Sequence, residues 1–327
     1  MGSSIKHKDR FFNIRNLADF EKLALEQFLF QATTVPIYAK YLDHLKIDPK
    51  AITKTADIPY LPIQFFKNHR VATFKGDAEV SFQSSSTTGK IPSKHHLKST
   101  KNYKDSIIHG FERRFGNIDD FEFFGLLPGY LERPNASLVF MFNHLMEVSG
   151  QAEKHFYLDD FHKMEREIQD ALANGKKVFL IGVTHALLRF AEKGKLSPDV
   201  ILCETGGMKG HGRELIREEL HDMLYEKLGV KEIISEYGMT ELLSQAWLNK
   251  QGRFVCPRWM KVSLREVNDP LSPSQSSTGV LNVIDLANIE SCSFIATDDL
   301  GRLHSDGSFA VLGRLDNAET RGCNLMI

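Results

Sequence analysis

Apolar residues near the amino terminus recur at helical spacing and then give way to short extended runs. In NLADFEKLALEQFLF, residues 16–30, they form one stripe behind Asn16, which predicts an amphipathic helix with an asparagine cap. Two prolines in IPYLPIQFF mark the next segment as an extended connection. The alternating runs RVATF, residues 70–74, and EVSFQ, residues 79–83, predict two short strands paired with each other. Residues 1–80 are therefore expected to form a helical and extended lead-in.

Strand-like and helix-like patterns alternate through the middle of the chain. The apolar runs FEFFGLLPG, KKVFLIGVT, DVILCETGG and VKEIISEYG predict buried strands. Helical periods separate them, and the first of these begins near Asp159 and ends before Gly175. This alternation predicts β-α-β crossovers and a mostly parallel sheet, which binds ligands at the carboxyl ends of its strands. We expect an α/β core over residues 81–260 and a β-rich part over residues 261–327, within one continuous domain.

The balance of charges and cysteines excludes several classes of protein. The 327 residues carry 41 lysines and arginines against 42 aspartates and glutamates, so no global field attracts nucleic acid or an anionic membrane. The four cysteines lie too far apart for a C-x-x-C zinc pair. No apolar segment approaches membrane-spanning length, and the start MGSSIKHKDRFF lacks the apolar core of a secretory signal. These features predict a cytoplasmic protein whose ligand contacts are local.

Two segments combine side chains that suit a nucleotide. In SSSTTGK, residues 84–90, five hydroxylated residues precede Gly89 and Lys90, and such a run can wrap an anion with hydroxyl and backbone donors beside a cation. A solvated surface loop has a similar composition. The turn EYGMTE sets Tyr237, Thr240 and Glu241 after a predicted strand. There a ring, a hydroxyl and a carboxylate can meet a base, a phosphate and Mg²⁺, although a helix-capping turn looks similar.

Two further runs carry carboxylates. In ATDDLGRLHSDGSF, Asp298 and Asp299 follow β-like residues, where a carboxylate can accept hydrogen bonds from two ribose hydroxyls. An ordinary Asx turn is the alternative interpretation. The run GRLDNAETRG adds Arg314 and Asp316. The chain has no G-x-S-x-G elbow, and GGMKGHG does not meet the pattern G-x-G-x-x-G, which disfavours an α/β-hydrolase and a dinucleotide enzyme.

Taken in this order, the motifs resemble those of the adenylate-forming superfamily of acyl- and aryl-CoA ligases. More narrowly, the sequence resembles the acyl-protein synthetase family, typified by the synthetase component of the fatty acid reductase complex of bacterial luminescence. Phenylacetate-CoA ligases are more distant relatives. The resemblance implies that ATP and Mg²⁺ activate a carboxylic acid, here a fatty acid, to an acyl-adenylate, and that the acyl group then passes to a cysteine thiol. An acyl-reductase, an acyltransferase or a carrier protein is the implied partner.

The resemblance also implies roles for individual residues. The triphosphate would be cradled by the hydroxyl-rich segment, namely Ser84, Ser85, Thr87, Thr88, Gly89 and Lys90. The adenine would lie between Gly206, Gly207 and the ring of Tyr237, with Gly238 in the same turn. Thr240 would hold phosphate and Glu241 the Mg²⁺, while Asp299 would bind the ribose and Arg314 the ribose or a phosphate. Lys90 and Glu241 would act in catalysis. Cys323, in the run RGCNLMI, is the expected acceptor of the acyl group, and the alternative interpretation is a cysteine that only packs or is inert.

Three departures from the superfamily pattern leave other functions open. Ser86 stands where the superfamily loop usually has glycine, and Thr297-Asp298-Asp299 replaces Thr-Gly-Asp. Asp316 falls at the hinge of two-domain relatives, and 317–327 are the only residues after it. The first alternative is therefore a CoA or carrier-protein ligase whose carboxyl-terminal domain comes from another chain. The second is a nucleotide-binding subunit that has lost catalysis and serves an assembly.

Overall fold

The computed structural model describes residues 10–84, 91–127, 135–151, 154–206 and 216–315. The helices in these ranges are α1 (Leu17–Thr34), α2 (Pro36–His44), α3 (Phe65–Asn68), α4 (Lys101–Phe115), α5 (Ser137–Val148), α6 (Phe161–Ala173), α7 (Thr184–Ala191) and α8 (Arg217–Leu228). The first eight strands in chain order are β1 (Leu61–Pro62), β2 (Val80–Gln83), β3 (Lys94–Leu97), β4 (Phe121–Leu126), β5 (Phe156–Tyr157), β6 (Lys177–Gly182), β7 (Ile201–Glu204) and β8 (Glu232–Tyr237). The remaining strands are β9 (Ala246–Leu248), β10 (Phe254–Val255), β11 (Met260–Arg265), β12 (Thr278–Asp285), β13 (Phe294–Leu303) and β14 (Phe309–Arg314).

Most of the described strands join one 12-stranded sheet, in the order β11-β12-β13-β14-β10-β9-β8-β7-β6-β4-β5, with β1 paired to β13. From β5 to β8 the neighbours are parallel. From β8 onwards to β11 the neighbours along this path are antiparallel. The expected α/β fold with a β-rich carboxyl-terminal part is therefore confirmed. The sheet runs without a break between the two parts, and it brings the end of β8 close to β13 and β14.

Local sequence signals account for the helix that was predicted after Asp159. The side chain of Asp160 accepts a hydrogen bond from the backbone N–H of Lys163 at 3.0 Å and so caps the amino terminus of α6. Gly175 lies just past its end with φ of 78°, a conformation that favours glycine. Met164 and Ile168 face the core, and charged residues occupy the outer face. Pattern and caps together therefore specify this helix.

The predicted pairing of residues 70–74 with residues 79–83 is wrong. The partner of β2 is β3, with Phe82 opposite His95, so the hydroxyl-rich segment connects the two strands of a hairpin. The run 70–74 contains no strand; instead Thr73 donates its backbone N–H to the carbonyl of Glu290 at 2.9 Å. The physical reason is that this run reaches a distant backbone partner, which the local alternation of apolar residues does not reveal.

One side chain completes the sheet near its β5 edge. Gln151 accepts a hydrogen bond from the backbone N–H of Phe123 at 2.8 Å and donates one to the carbonyl of Phe123 at 3.1 Å. Strand β5 pairs with β4 only at Gly125 and Leu126, two residues further along. The amide of Gln151 therefore satisfies the backbone groups of β4 that the short β5 does not reach.

No helix among the described residues is long and apolar enough to cross a membrane. Helices packed on the sheet form the core. The largest fully buried side chains in this core are mostly aromatic. Phe111 of α4, for example, contacts Phe121, Phe123 and Phe179 with ring centroids 5.1 to 5.4 Å apart. These phenylalanines pack together as core.

Candidate nucleotide site

The carboxyl end of β8 brings Tyr237 next to the residues expected to bind ribose. The hydroxyl of Tyr237 donates to Oδ2 of Asp299 at 2.9 Å, and Nε of Arg314 lies 3.5 Å from the other carboxylate oxygen. Asp299 and Arg314 are opposite each other in the β13–β14 ladder. Burial raises the pKa of Asp299, and the Arg314 guanidinium opposes that rise. Strand pairing therefore assembles a tyrosine, a carboxylate and a cation into one cluster.

The neighbouring Asp298 points to different partners. Its two carboxylate oxygens lie 2.7 and 2.8 Å from the side-chain amide nitrogen of Gln64, the residue just before α3. Asp299 instead faces Tyr237, because successive side chains of a strand point to opposite faces. The structure thus separates the two carboxylates that the sequence left as candidates, and Asp299 is the one beside Tyr237.

Glu241 is almost fully buried, at 4% exposure, and reaches the base of the hydroxyl-rich segment. Its carboxylate accepts a hydrogen bond from the side chain of Ser93, and burial raises its pKa, while Arg314 and Lys67 oppose that rise. Ser93 in turn donates its backbone N–H to the hydroxyl of Ser84 at 2.9 Å and accepts one from the backbone of Ser84 at 3.1 Å. Ser84, the first residue of the hydroxyl-rich segment, is therefore paired with a direct hydrogen-bond partner of Glu241.

The two described glycines of the candidate site have different surroundings. A Cβ at Gly238 would lie 2.1 Å from Oε1 of Glu236, so a side chain at this position would displace that glutamate. A Cβ at Gly206, which follows β7, would meet no atom of the described residues within 4 Å. Packing among the described residues therefore does not require glycine at 206.

Glu236, which the sequence did not single out, faces away from Tyr237 on the same strand. It is partly buried, and its nearest hydrogen-bond partner is the hydroxyl of Thr205 at 3.4 Å. Burial raises the pKa of Glu236 from 4.5 to about 7; Thr205 opposes the rise, and Glu204 adds to it. Glu204, by contrast, accepts hydrogen bonds from the hydroxyls of Thr184 at 2.6 Å and Ser235 at 3.0 Å. In VKEIISEYG, Glu236 is the charged residue that follows the apolar pair Ile233 and Ile234, and that position was the available signal for it.

Several predicted site residues lie outside the described ranges, so their roles stay predictions: Ser85, Thr87, Thr88, Gly89, Lys90, Gly207 and Cys323. Among the described residues, no group of three or more His, Cys, Asp or Glu side chains could hold a metal ion. Mg²⁺ commonly binds one or two carboxylates together with substrate phosphates. A single carboxylate at Glu241, beside the base of the hydroxyl-rich segment, therefore fits a magnesium ion that arrives with a nucleotide.

Comparison with solved structures identifies the fold as that of adenylate-forming ligases. A 2-hydroxyisobutyryl-CoA ligase in complex with 2-HIB-AMP and CoA matches with a TM-score of 0.68 at 12% identity, covering 92% of this chain and 76% of that one. ATP-bound MatB from Rhodopseudomonas palustris matches with a TM-score of 0.54 at 15% identity, over 73% of this chain and 49% of that one. O-succinylbenzoate coenzyme A synthetase (MenE) from Bacillus subtilis, in complex with ATP and magnesium, matches with a TM-score of 0.52 at 16% identity, over 72% and 49%. The match thus spans about half the length of MatB and MenE.

The search of curated proteins gave no match. The family comparison is more specific, because the family described as acyl-protein synthetase, LuxE, matches residues 15–327. That range includes every described residue of the cluster around Tyr237. The chain therefore belongs to the acyl-protein synthetase family, LuxE.

Proposed function

We propose that this protein activates a carboxylic acid with ATP and transfers the acyl group to a cysteine thiol, as a long-chain fatty acid-protein ligase. The observation that carries the proposal is the cluster of Tyr237, Asp299 and Arg314 beside Glu241, at the carboxyl end of β8. Family membership and the adenylate-forming fold support activation of an acid by ATP. The fatty nature of the acid and the cysteine acceptor rest on the family resemblance.

Each part of the cluster would bind one part of MgATP. Asp299 is held between Tyr237 and Arg314, so it is oriented to accept hydrogen bonds from ribose hydroxyls. The adenine would lie against the ring of Tyr237, and Gly206 and Gly207 would lie along the edge of the adenine. Glu241 would hold Mg²⁺, which when bound would neutralise charge on the phosphates.

The first chemical step would be adenylation. An oxygen of the substrate carboxylate would attack the α-phosphorus, and the bond from that phosphorus to the bridging oxygen would break, so that pyrophosphate leaves. Lys90, the hydroxyls from Ser84 to Thr88 and the hydroxyl of Thr240 would donate to the charge that builds on the phosphates. In the second step a thiolate would attack the acyl carbonyl carbon, and AMP would leave with the electron pair of the broken bond.

The described cysteines are poor candidates for that thiolate. Burial raises the pKa of Cys203 well above its ordinary value, and it raises the pKa of Cys256 and of Cys292 to about 12. A thiol must lose its proton to act as a nucleophile, so these three are expected to be inert near neutral pH. Cys323 is the fourth cysteine of the chain, and we propose it as the acceptor.

A second candidate function is acyl transfer to CoA or to a carrier protein. The observation that favours it is the structural match to a 2-hydroxyisobutyryl-CoA ligase in complex with CoA. In either case an acyl-reductase, an acyltransferase or a carrier protein would use the thioester. A subunit that binds nucleotide without catalysis would carry out neither step.

Exchange of labelled pyrophosphate into ATP tests the adenylation step directly. The purified protein should catalyse exchange when Mg²⁺ and a suitable acid are present, and a panel of fatty, short-chain and aromatic acids identifies the substrate class. Exchange that depends on an aromatic or hydroxylated acid alone would overturn the fatty acid assignment. If no acid supports exchange while ATP still binds, the protein is a nucleotide-binding subunit and the proposed function is wrong.

A further inference from the structure

His95 connects the hairpin that carries the hydroxyl-rich segment to the turn that carries Glu241. Its side chain is completely buried on β3, and Nδ1 lies 2.8 Å from the backbone carbonyl oxygen of Thr240. Its other nitrogen, Nε2, lies 3.1 Å from Oδ1 of Asn288. Burial lowers the pKa of His95 to about 4, so the ring is neutral near pH 7 and keeps one N–H. The shorter of the two contacts is the one to Thr240.

Asn288 holds the next carbonyl of the same turn. Its amide nitrogen donates to the carbonyl of Glu241 at 2.8 Å and to that of Cys292 at 3.0 Å, and its side chain is completely buried. Its own backbone carbonyl accepts a hydrogen bond from the side chain of Gln31 on α1 at 2.8 Å. Two consecutive carbonyls of the turn are therefore bound by buried side chains that come from different parts of the chain.

We propose that His95 is a positioning residue for adenylation, and that it acts by fixing the Thr240–Glu241 turn relative to the β2–β3 hairpin. The inference rests on the proposed function. Its reason is geometric: His95 lies two residues after Ser93, which both closes the base of that segment and hydrogen-bonds Glu241. The contact from His95 to Thr240 is thus a second link between the same two elements. It sets the direction in which Thr240 and Glu241 point at the nucleotide.

Two amide variants of similar polarity distinguish positioning from simple packing. In His95→Asn an amide N–H takes the place of Nδ1 and can still reach the carbonyl of Thr240. In His95→Gln the amide lies further out, at the place of Nε2, and the Thr240 contact is lost. Because a misplacement of about 1 Å can cost about 100-fold in rate, we expect Gln to lower kcat for pyrophosphate exchange by about 10- to 100-fold. His95→Asn should retain activity within about 3-fold of wild type, and the KM for ATP should change little in both, since Asp299 and Tyr237 are untouched.

Thermal unfolding of the same variants provides the second measurement. If His95 serves packing alone, activity will decrease as the side-chain volume at position 95 decreases. The His95→Asn variant, with the smaller side chain, will then be at least as impaired as His95→Gln. Equal kcat in folded Asn and Gln variants would overturn the inference while wild-type exchange upholds the proposed function. Absence of exchange in wild type would instead overturn the proposed function and this inference together.

If the amide variants do not fold, His95→Phe keeps the ring without a donor, and wild-type kcat in that variant overturns the inference. His144→Asn on α5, where the imidazole is mostly buried and contacts Glu147, is the control.

Discussion

Replacement of Glu236 by glutamine should stabilise the protein at alkaline pH much more than at acid pH. Burial raises the pKa of this carboxyl from 4.5 to about 7 in the folded state, so the folded protein favours the protonated form. Between pH 4.5 and about 7 the unfolded chain releases this proton while the folded protein still holds it. The free energy of unfolding therefore falls as pH rises through this range. Each pKa unit corresponds to about 1.36 kcal/mol, so a rise from 4.5 to about 7 makes ionisation of Glu236 cost at most about 3.4 kcal/mol. The cost is an upper bound because the side chain is partly exposed.

Glutamine has nearly the shape of the protonated glutamate and does not ionise, so the variant escapes this cost. We expect denaturant unfolding at pH 5 to give free energies of unfolding for Glu236→Gln and wild type that differ by less than about 1 kcal/mol. At pH 8.5 the advantage of the variant should be about 2 kcal/mol larger. Glu226→Gln on α8, an exposed position, is the control for loss of one negative charge and should show little growth. A Glu236→Gln difference that is flat with pH, or that shrinks as pH rises, would refute the burial argument.

Three further predictions concern the candidate site. Glu241→Gln should lose most pyrophosphate exchange while the variant stays folded, because the carboxylate expected to hold Mg²⁺ is gone, and undiminished exchange would end that assignment. Asp299→Ala should weaken ATP binding, measured by calorimetry, by about 1.5 to 3 kcal/mol, whereas Asp298→Ala should weaken it less, and the reverse order would show that the wrong carboxylate was chosen. Cys323→Ser should still exchange pyrophosphate but lose the hydroxylamine-labile acyl label that wild type gains from ATP and labelled acid; a label that persists, or that mass spectrometry places on another cysteine, would move the acceptor.

Features specified by neighbouring residues could be predicted from the sequence. Helix α6 follows from its apolar period, the Asp160 cap and Gly175, all within one short stretch. The alternation of strands and helices gave the parallel half of the sheet in the same way. The family resemblance carried by the motif order also led to Tyr237 and Asp299, and the structure brings these two side chains into contact. Their binding roles stay predictions.

Features that depend on distant partners could not be predicted. The pairing of β2 with β3 required knowing that a polar segment, and not the preceding apolar run, joins the hairpin. His95 looked like any other histidine in the sequence, because its partner Asn288 is 193 residues away and Thr240 is 145 residues away. The contact between Asp298 and Gln64 likewise joins residues that are 234 positions apart, and no local pattern indicates it.

The amide of Gln151 has a consequence for the behaviour of the protein at high concentration. A strand edge with free N–H and C=O groups is a template on which a second molecule can add its own strand and begin an aggregate. Gln151 occupies the N–H and the C=O of Phe123 with a side chain that cannot propagate a ladder. Gln151→Leu would leave both groups of an apolar strand unpaired, and light scattering during concentration should then show earlier self-association than in wild type. We therefore expect Gln151 to oppose self-association along this edge of the sheet.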